Sequence, residues 1–155
     1  MSRIRKSLAF FTLLAGVVFA SPALAGDLQG PFSSSFLGVA AEGYDVVSYF
    51  TERKPVEGEK NHSLKWKGVE WRFSSAANQK TFESHPEKFA PQYGGYCAYA
   101  VSQGYTAGVD PEAWSVVDGK LYLNYSKSVQ KTWVSDKAGY IKSANDNWPS
   151  VRNSL

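Results

Sequence analysis

The stretch Trp66-Lys67-Gly68-Val69-Glu70-Trp71-Arg72-Phe73-Ser74-Ser75 decides how this chain folds, because its pattern returns 51 residues later as Val117-Asp118-Gly119-Lys120-Leu121-Tyr122-Leu123-Asn124-Tyr125-Ser126. Gly68 and Ser75 keep step with Gly119 and Ser126. Gln79, Lys80, Thr81 and Ser84 do the same with Gln130, Lys131, Thr132 and Ser135. The aromatic positions follow: Trp71 with Tyr122, Phe82 with Trp133, and Phe89 with Tyr140. No insertion interrupts the match between Gly68 and Phe89. Agreement at turn, cap and aromatic positions together points to one supersecondary unit used twice.

Each copy reads as a hairpin followed by a helix. Leu64-Lys65-Trp66 and Val69 to Phe73 alternate apolar and polar residues, the period of a half-buried strand. Trp114 to Val117 and Lys120 to Asn124 form the corresponding pair. Lys67-Gly68 and Asp118-Gly119 suit tight turns, since glycine accepts positive φ. Ser75 and Ser126 are helix caps. The first helix passes Phe82 before Pro86 interrupts it, and the second carries Val129 and Trp133 four apart on one face. A final helix is expected over Gly139 to Asn147. Between the copies, small and aromatic residues after Gly95 suggest a buried helix with Tyr93, Cys97 and Ala100 or Val101 on one side. Near the start of the fold, Asp45 can cap a short helix over Val46 to Phe50. The expected class is α+β: two β-hairpin-plus-helix units, an internal duplication, with antiparallel strands and helices packed on one side.

Residues 1–25 have the layout of a secretory signal peptide. Arg3, Arg5 and Lys6 precede an uncharged apolar run from Leu8 to Ala20, and Ala23-Leu24-Ala25 is a cleavage signal. The apolar run is short for a membrane span. Export to the periplasm or secretion follows, with a mature chain beginning at Gly26. Residues 26–42 read as a flexible lead-in rich in glycine and serine, 43–149 as a single domain, and 150–155 as a tail. The leader holds three of the 17 Lys and Arg residues and none of the 14 Asp and Glu, so the chain without it is formally neutral with histidine uncharged. That neutrality removes the electrostatic case for nucleic-acid binding. Cys97 is the one cysteine, which excludes an intramolecular disulfide.

Three further stretches carry a family resemblance. The pattern Trp66-x-Gly68-x-x-Trp71-x-Phe73-x-Ser75, followed by Phe82 and Pro86-Glu87-Lys88-Phe89, resembles the YHS domain. Gly43 to Phe50, Tyr93 to Ala100 and Asp118 to Tyr125 resemble its secreted, stand-alone branch, so the resemblance runs from about Gly43 to Trp148. It implies kinship with small metal-binding modules that accompany copper and heavy-metal transporters. Members with a metal role place cysteines before the hairpin and around the helix start; here Phe73 to Asn78 contains none.

Soft or imidazole donors are few: Cys97, His62 and His85, a set whose chemistry suits zinc or copper. The sole methionine is Met1, so export leaves no methionine for a Cu(I) site. The leading expectation is therefore an exported binding module that assists copper or other heavy-metal handling through Cys97 and the two histidines, with an envelope metal-transport partner completing the shell. A thiol-dependent envelope enzyme or redox factor using Cys97 is a second class, and a structural or interaction module without a small ligand is a third. Asp45, Tyr44, Tyr93 and Tyr96 are candidates to line a cleft, because so many tyrosines exceed what one small core hides. No phosphate loop, serine triad or paired-carboxylate signature is present. When the chain is exported from a bacterial host, its N-terminal residue is expected to be Gly26, as read by N-terminal sequencing. A product still beginning at Met1 overturns the leader assignment.

Overall fold

The computed structural model describes residues 32–35 and 37–155, so the leader and the first part of the lead-in lie outside the described residues. The expected duplication is present as two antiparallel hairpins, each followed by helix. The first unit runs through α1 (Ser48–Thr51), β1 (Glu59–Trp66), β2 (Val69–Phe73), α2 (Ala76–Ser84) and α3 (Pro86–Phe89). The second runs through α4 (Ala98–Ser102), β3 (Asp110–Val117), β4 (Lys120–Asn124), α5 (Lys127–Ser135) and α6 (Lys137–Asn153).

Both hairpins turn on two residues of positive φ: Lys67 at 47° with Gly68 at 87°, and Asp118 at 50° with Gly119 at 72°. This backbone twists with the strands, and it is why the turns carry glycine second. Both hairpins also slip register at the same place, between Glu59 and Ser63 and between Asp110 and Trp114. Across each slip a glutamine of the following helix reaches back to the strand. Gln79 Nε2 donates to Ser63 O at 3.1 Å, and Gln130 Nε2 donates to Trp114 O. The serine caps hold as read: Ser75 Oγ accepts from Asn78 N, and Ser126 Oγ accepts from Val129 N.

Two aromatic clusters form the interior. In the first, Trp71 stacks on Phe82 at 5.0 Å and Phe73 lies 5.1 Å from the same ring. In the second, Tyr122 meets Trp133 at 5.2 Å, while Tyr93 and Tyr96 flank Trp148. Strand β4 joins them. Leu121 and Leu123 belong to the first cluster and Tyr122 to the second, the alternation that a strand buried on both faces must show.

Several expectations change here. The lead-in is not loose from Phe32 onward. Phe32 is buried against Trp66 and Trp71, Ser33 N donates to Gly94 O, and Val39 bridges to Glu70. The physical cause is the width of Trp66 and Trp71, whose exposed faces this segment covers. The last helix is longer than expected and absorbs the assigned tail through Asn153. Pro149 stands inside it, and Trp148 and Val151 anchor it in the second cluster. The helix after Gly95 is short. Gly94 and Gly95 sit instead in a 3₁₀ turn over Tyr93–Gly95, and Cys97 only precedes α4. Among the described residues, no helix is long and apolar enough to cross a membrane.

Gly58 sets a tight approach between the connection to β1 and strand β2. A Cβ there would fall 2.4 Å from the carbonyl carbon of Arg72, and Gly58 N is already fixed to Gly43 O at 2.9 Å. Gly58→Ala is expected to cost about 1–3 kcal/mol in urea unfolding through overpacking against backbone. An unchanged midpoint contradicts the approach.

Candidate functional site

The site is best built from Asp45, which the fold buries completely. Its Oδ1 accepts from Val47 N at 2.9 Å, but Asp45 does not cap α1 as expected: the helix starts at Ser48, not Val46, with Val47 as its N-cap and no side-chain cap bond. Oδ2 accepts from Ser74 N at 3.0 Å, Ser74 Oγ at 2.7 Å and Asn78 Nδ2 at 2.7 Å. Four donors around one buried carboxylate replace the water it lost, and the position beside the first turn of α2 adds the favourable end of that helix. Asp45 therefore ties α1 to the junction of β2 and α2. Asp45→Ala removes the acceptor from all four donors and is expected to cost about 3–5 kcal/mol of stability in chemical denaturation. A loss under about 1 kcal/mol would mean that the knot is dispensable.

The second unit repeats this frame with different chemistry. The 3₁₀ turn over Ala41–Gly43 has its twin over Tyr93–Gly95, with Gly43 at φ 83° and Gly95 at 79°. Ala40 N donates to Glu70 O at 2.8 Å, and Gln92 N to Leu121 O at 2.8 Å. Asp45 N donates to Val56 O, and Cys97 N to Ala107 O. Ser74 N donates to the Asp45 carboxylate, and Tyr125 N donates to Cys97 Sγ at 3.3 Å. Cys97 thus occupies in the second unit the place that Asp45 occupies in the first. The other donors of the knot are not repeated, because Ser74 is matched by Tyr125 and Asn78 by Val129.

Around Cys97 the result is a pocket of about 240 Å³ lined by Cys97, Ala100, Ala107, Val129 and the three tyrosines Tyr99, Tyr105 and Tyr125. Tyr105 and Tyr125 are exposed, at 53% and 61%, and mark its mouth; Cys97, at 1%, lies at its base. The thiol donates towards Asn124 Oδ1 at 3.8 Å, and that oxygen also accepts from Tyr99 N at 3.2 Å. Asn124 is fully buried, yet its Nδ2 has no partner.

The other candidates lie elsewhere. His62 is half-buried on β1 within the register slip, and His85 is exposed between α2 and α3. Among the described residues, no three His, Cys, Asp or Glu side chains are placed to hold one metal ion, so Cys97, His62 and His85 do not form a shared centre. A resident zinc or copper ion, which takes three or four protein donors, does not fit this donor set. The four cleft candidates make separate contacts. Asp45 is consumed by its knot, and Tyr93 is buried with its hydroxyl donating to Asn145 Oδ1 and Ile141 O. Tyr44 stands half-buried beside Glu57. Its phenol is pushed above the ordinary range by desolvation first, then by Glu57 and Glu112. Tyr96 packs on Trp148, and burial raises its phenol too. Tyr49, donating to Pro111 O, is raised further by the same cause. These raised phenols stay protonated at neutral pH.

A larger open groove of about 760 Å³ lies between the β3–β4 turn and the α5–α6 corner, lined by Val117, Val134 and Ile141 among charged residues. Within it Lys142 pairs with Asp146 at 2.7 Å, and Asp136 caps α6 through Gly139 N.

Residues 47–93 match the family model of the YHS domain. Asp45 and Cys97 lie just outside that match, on either side. No curated protein and no solved structure matches the chain. Sequence reasoning missed Ser74, Asn78 and Asn124. The signal that exposes them is a second spacing: Gly43-Tyr44-Asp45 recurs 52 residues on as Gly95-Tyr96-Cys97.

Proposed function

We propose that this chain is an exported YHS-domain binding module that handles a soft metal ion, copper first, as transient cargo. Cys97 is the donor it contributes, and an envelope metal-transport partner completes the shell. The observation that carries this reading is the placement of the single thiol at the base of a pocket rimmed by two exposed tyrosines. Thiolate sulfur selects Cu(I) and zinc over hard cations. Exposed aromatic residues beside a pocket are the type of surface that partner proteins engage. The YHS family is often associated with heavy-metal, copper handling, which agrees with this chemistry. A donor set too small for a resident ion suits a carrier that must release its cargo. The signal-peptide layout supports a periplasmic or secreted site of action.

Purified protein titrated with Cu(I) against a chromophoric chelator, with a small monothiol present to complete the coordination, tests the proposal. Binding tighter than about 1 μM, weakened at least tenfold by Cys97→Ser, is the expected outcome. His62→Ala and His85→Ala are expected to leave it unchanged. Absence of binding tighter than about 1 μM for both Cu(I) and Zn(II) removes the metal reading and leaves the interaction module in its place.

A further inference from the structure

The two units share a backbone at the corner where the hairpin turn meets the helix junction, and they differ in what fills it. The turns match, with Lys67 at φ 47° and Asp118 at 50°. The junctions match as well. His85, between α2 and α3, has φ −144° and ψ 57°; Asp136, between α5 and α6, has φ −147° and ψ 62°. In the first unit three side chains close the corner. The Trp66 indole meets Phe82 edge-on, with ring centroids 5.6 Å apart. The Lys67 ammonium lies over that indole, 4.7 Å from its centroid, and is bridged to Glu87 of α3 at 3.7 Å. The counterparts of these three residues, 51 positions on, are Val117, Asp118 and Ala138. They cannot repeat the closure: Val117 has no ring, Asp118 reverses the charge, and Ala138 has no carboxylate. All three line the open groove of about 760 Å³. Its floor is apolar, since Val117 and Ile141 pack on the second aromatic cluster. Val134, 44% exposed, lines it where the first unit has Glu83. The second unit keeps the frame of an indole site and omits the indole.

Charge says what the missing ring brings with it. The lining carries three carboxylates, Asp118, Asp136 and Asp146, against the ammoniums of Lys137 and Lys142. Lys142 is engaged by Asp146, whereas Asp118 has no ion pair among the described residues. Asp118 stands at the turn position from which Lys67 supplies a cation to the first unit, so here the cation must come with the ring. Residues Gly26 to Pro31, ahead of the described fold, contain no aromatic residue to supply it.

We propose that this groove docks an extended segment of a partner protein that presents a tryptophan or tyrosine followed by a lysine or arginine. The ring lies over Val117 and Val134, and the cation meets Asp118. Burial of the ring supplies most of the affinity, because a single exposed ion pair adds little. The carboxylate selects which aromatic segments are accepted. The site does not rest on metal carriage, since Cys97 is not part of its lining.

The test follows amide shifts of isotope-labelled, metal-free protein titrated with the capped peptide Gly-Trp-Lys-Gly at low salt. Saturable binding at about 1 mM or tighter is expected, with the largest changes at Val117, Asp118 and residues 134–138. Replacing the peptide's tryptophan by alanine is expected to weaken binding at least about tenfold. Replacing its lysine by glutamate is expected to weaken it about threefold, and Asp118→Lys to reverse that preference. Val117→Trp, checked for a cooperative melt, fills the groove from within and is expected to weaken binding at least about tenfold. Asp118→Lys combined with Ala138→Glu rebuilds the closing bridge at two exposed positions and is expected to weaken it at least about fivefold without touching the core. The proposal is overturned by no saturable change up to about 10 mM peptide, by changes centred away from the groove, by equal binding of the ring-free peptide, or by undiminished binding to either folded variant. Sedimentation that shows a dimer of the free protein, dissolved by Val117→Trp, names a second copy as the occupant and overturns the partner assignment.

Discussion

The buried carboxylate of Asp45 is the constraint on which the first unit rests. A charge with no exposure is tolerable only if hydrogen bonds replace its hydration, and here four donors from three segments do so. Those donors come from the start of α1, the end of β2 and the first turn of α2. Satisfying one anion therefore fixes how the entry segment, the hairpin and the helix meet. The aromatic cluster of Trp71, Phe73 and Phe82 then closes over the junction. The hydrophobic contacts supply most of the driving force, and the anion supplies the geometry.

The second unit shows what happens when that knot is rewritten. The frame survives: the 3₁₀ turn, the strand-to-turn hydrogen bonds, the two-residue hairpin turn, the register slip and the glutamine reaching back across it. The anion does not survive. Sulfur replaces carboxylate, Val129 and Tyr125 replace two of its donors, and Asn124 replaces Phe73. The exchange removes polar groups where the first unit is sealed and opens a tyrosine-rimmed pocket at that point. It also plants one unsatisfied amide in the core beside the thiol.

Much of the fold was legible because it depends on local rules. Lys67-Gly68 and Asp118-Gly119 announce their turns, Ser75 and Ser126 announce their helices, and the strand alternation around them is plain. The lead-in was not legible. Phe32 and Val39 look like isolated apolar residues in a small-residue stretch, and only Trp66, Trp71 and Glu70 give them something to pack and pair with. The extension of α6 past Pro149 was hidden for a similar reason, since the burial of Trp148 and Val151 outweighs the cost of a proline near the helix end.

Of the site, the sequence determined the inventory. One thiol, two histidines, many tyrosines and a duplicated hairpin-and-helix frame are fixed by residue identity and by periods of two and near four along the chain. Which of those residues meet was decided only in three dimensions. Asp45 finds Ser74 and Asn78 across about thirty positions, and Cys97 finds Asn124 and Tyr125 across a similar distance, while His62 and His85 join neither group. The reason is physical. Local propensity reports what a segment prefers by itself. The partner of a buried polar atom is set by which distant segment the core brings within about 3 Å of it.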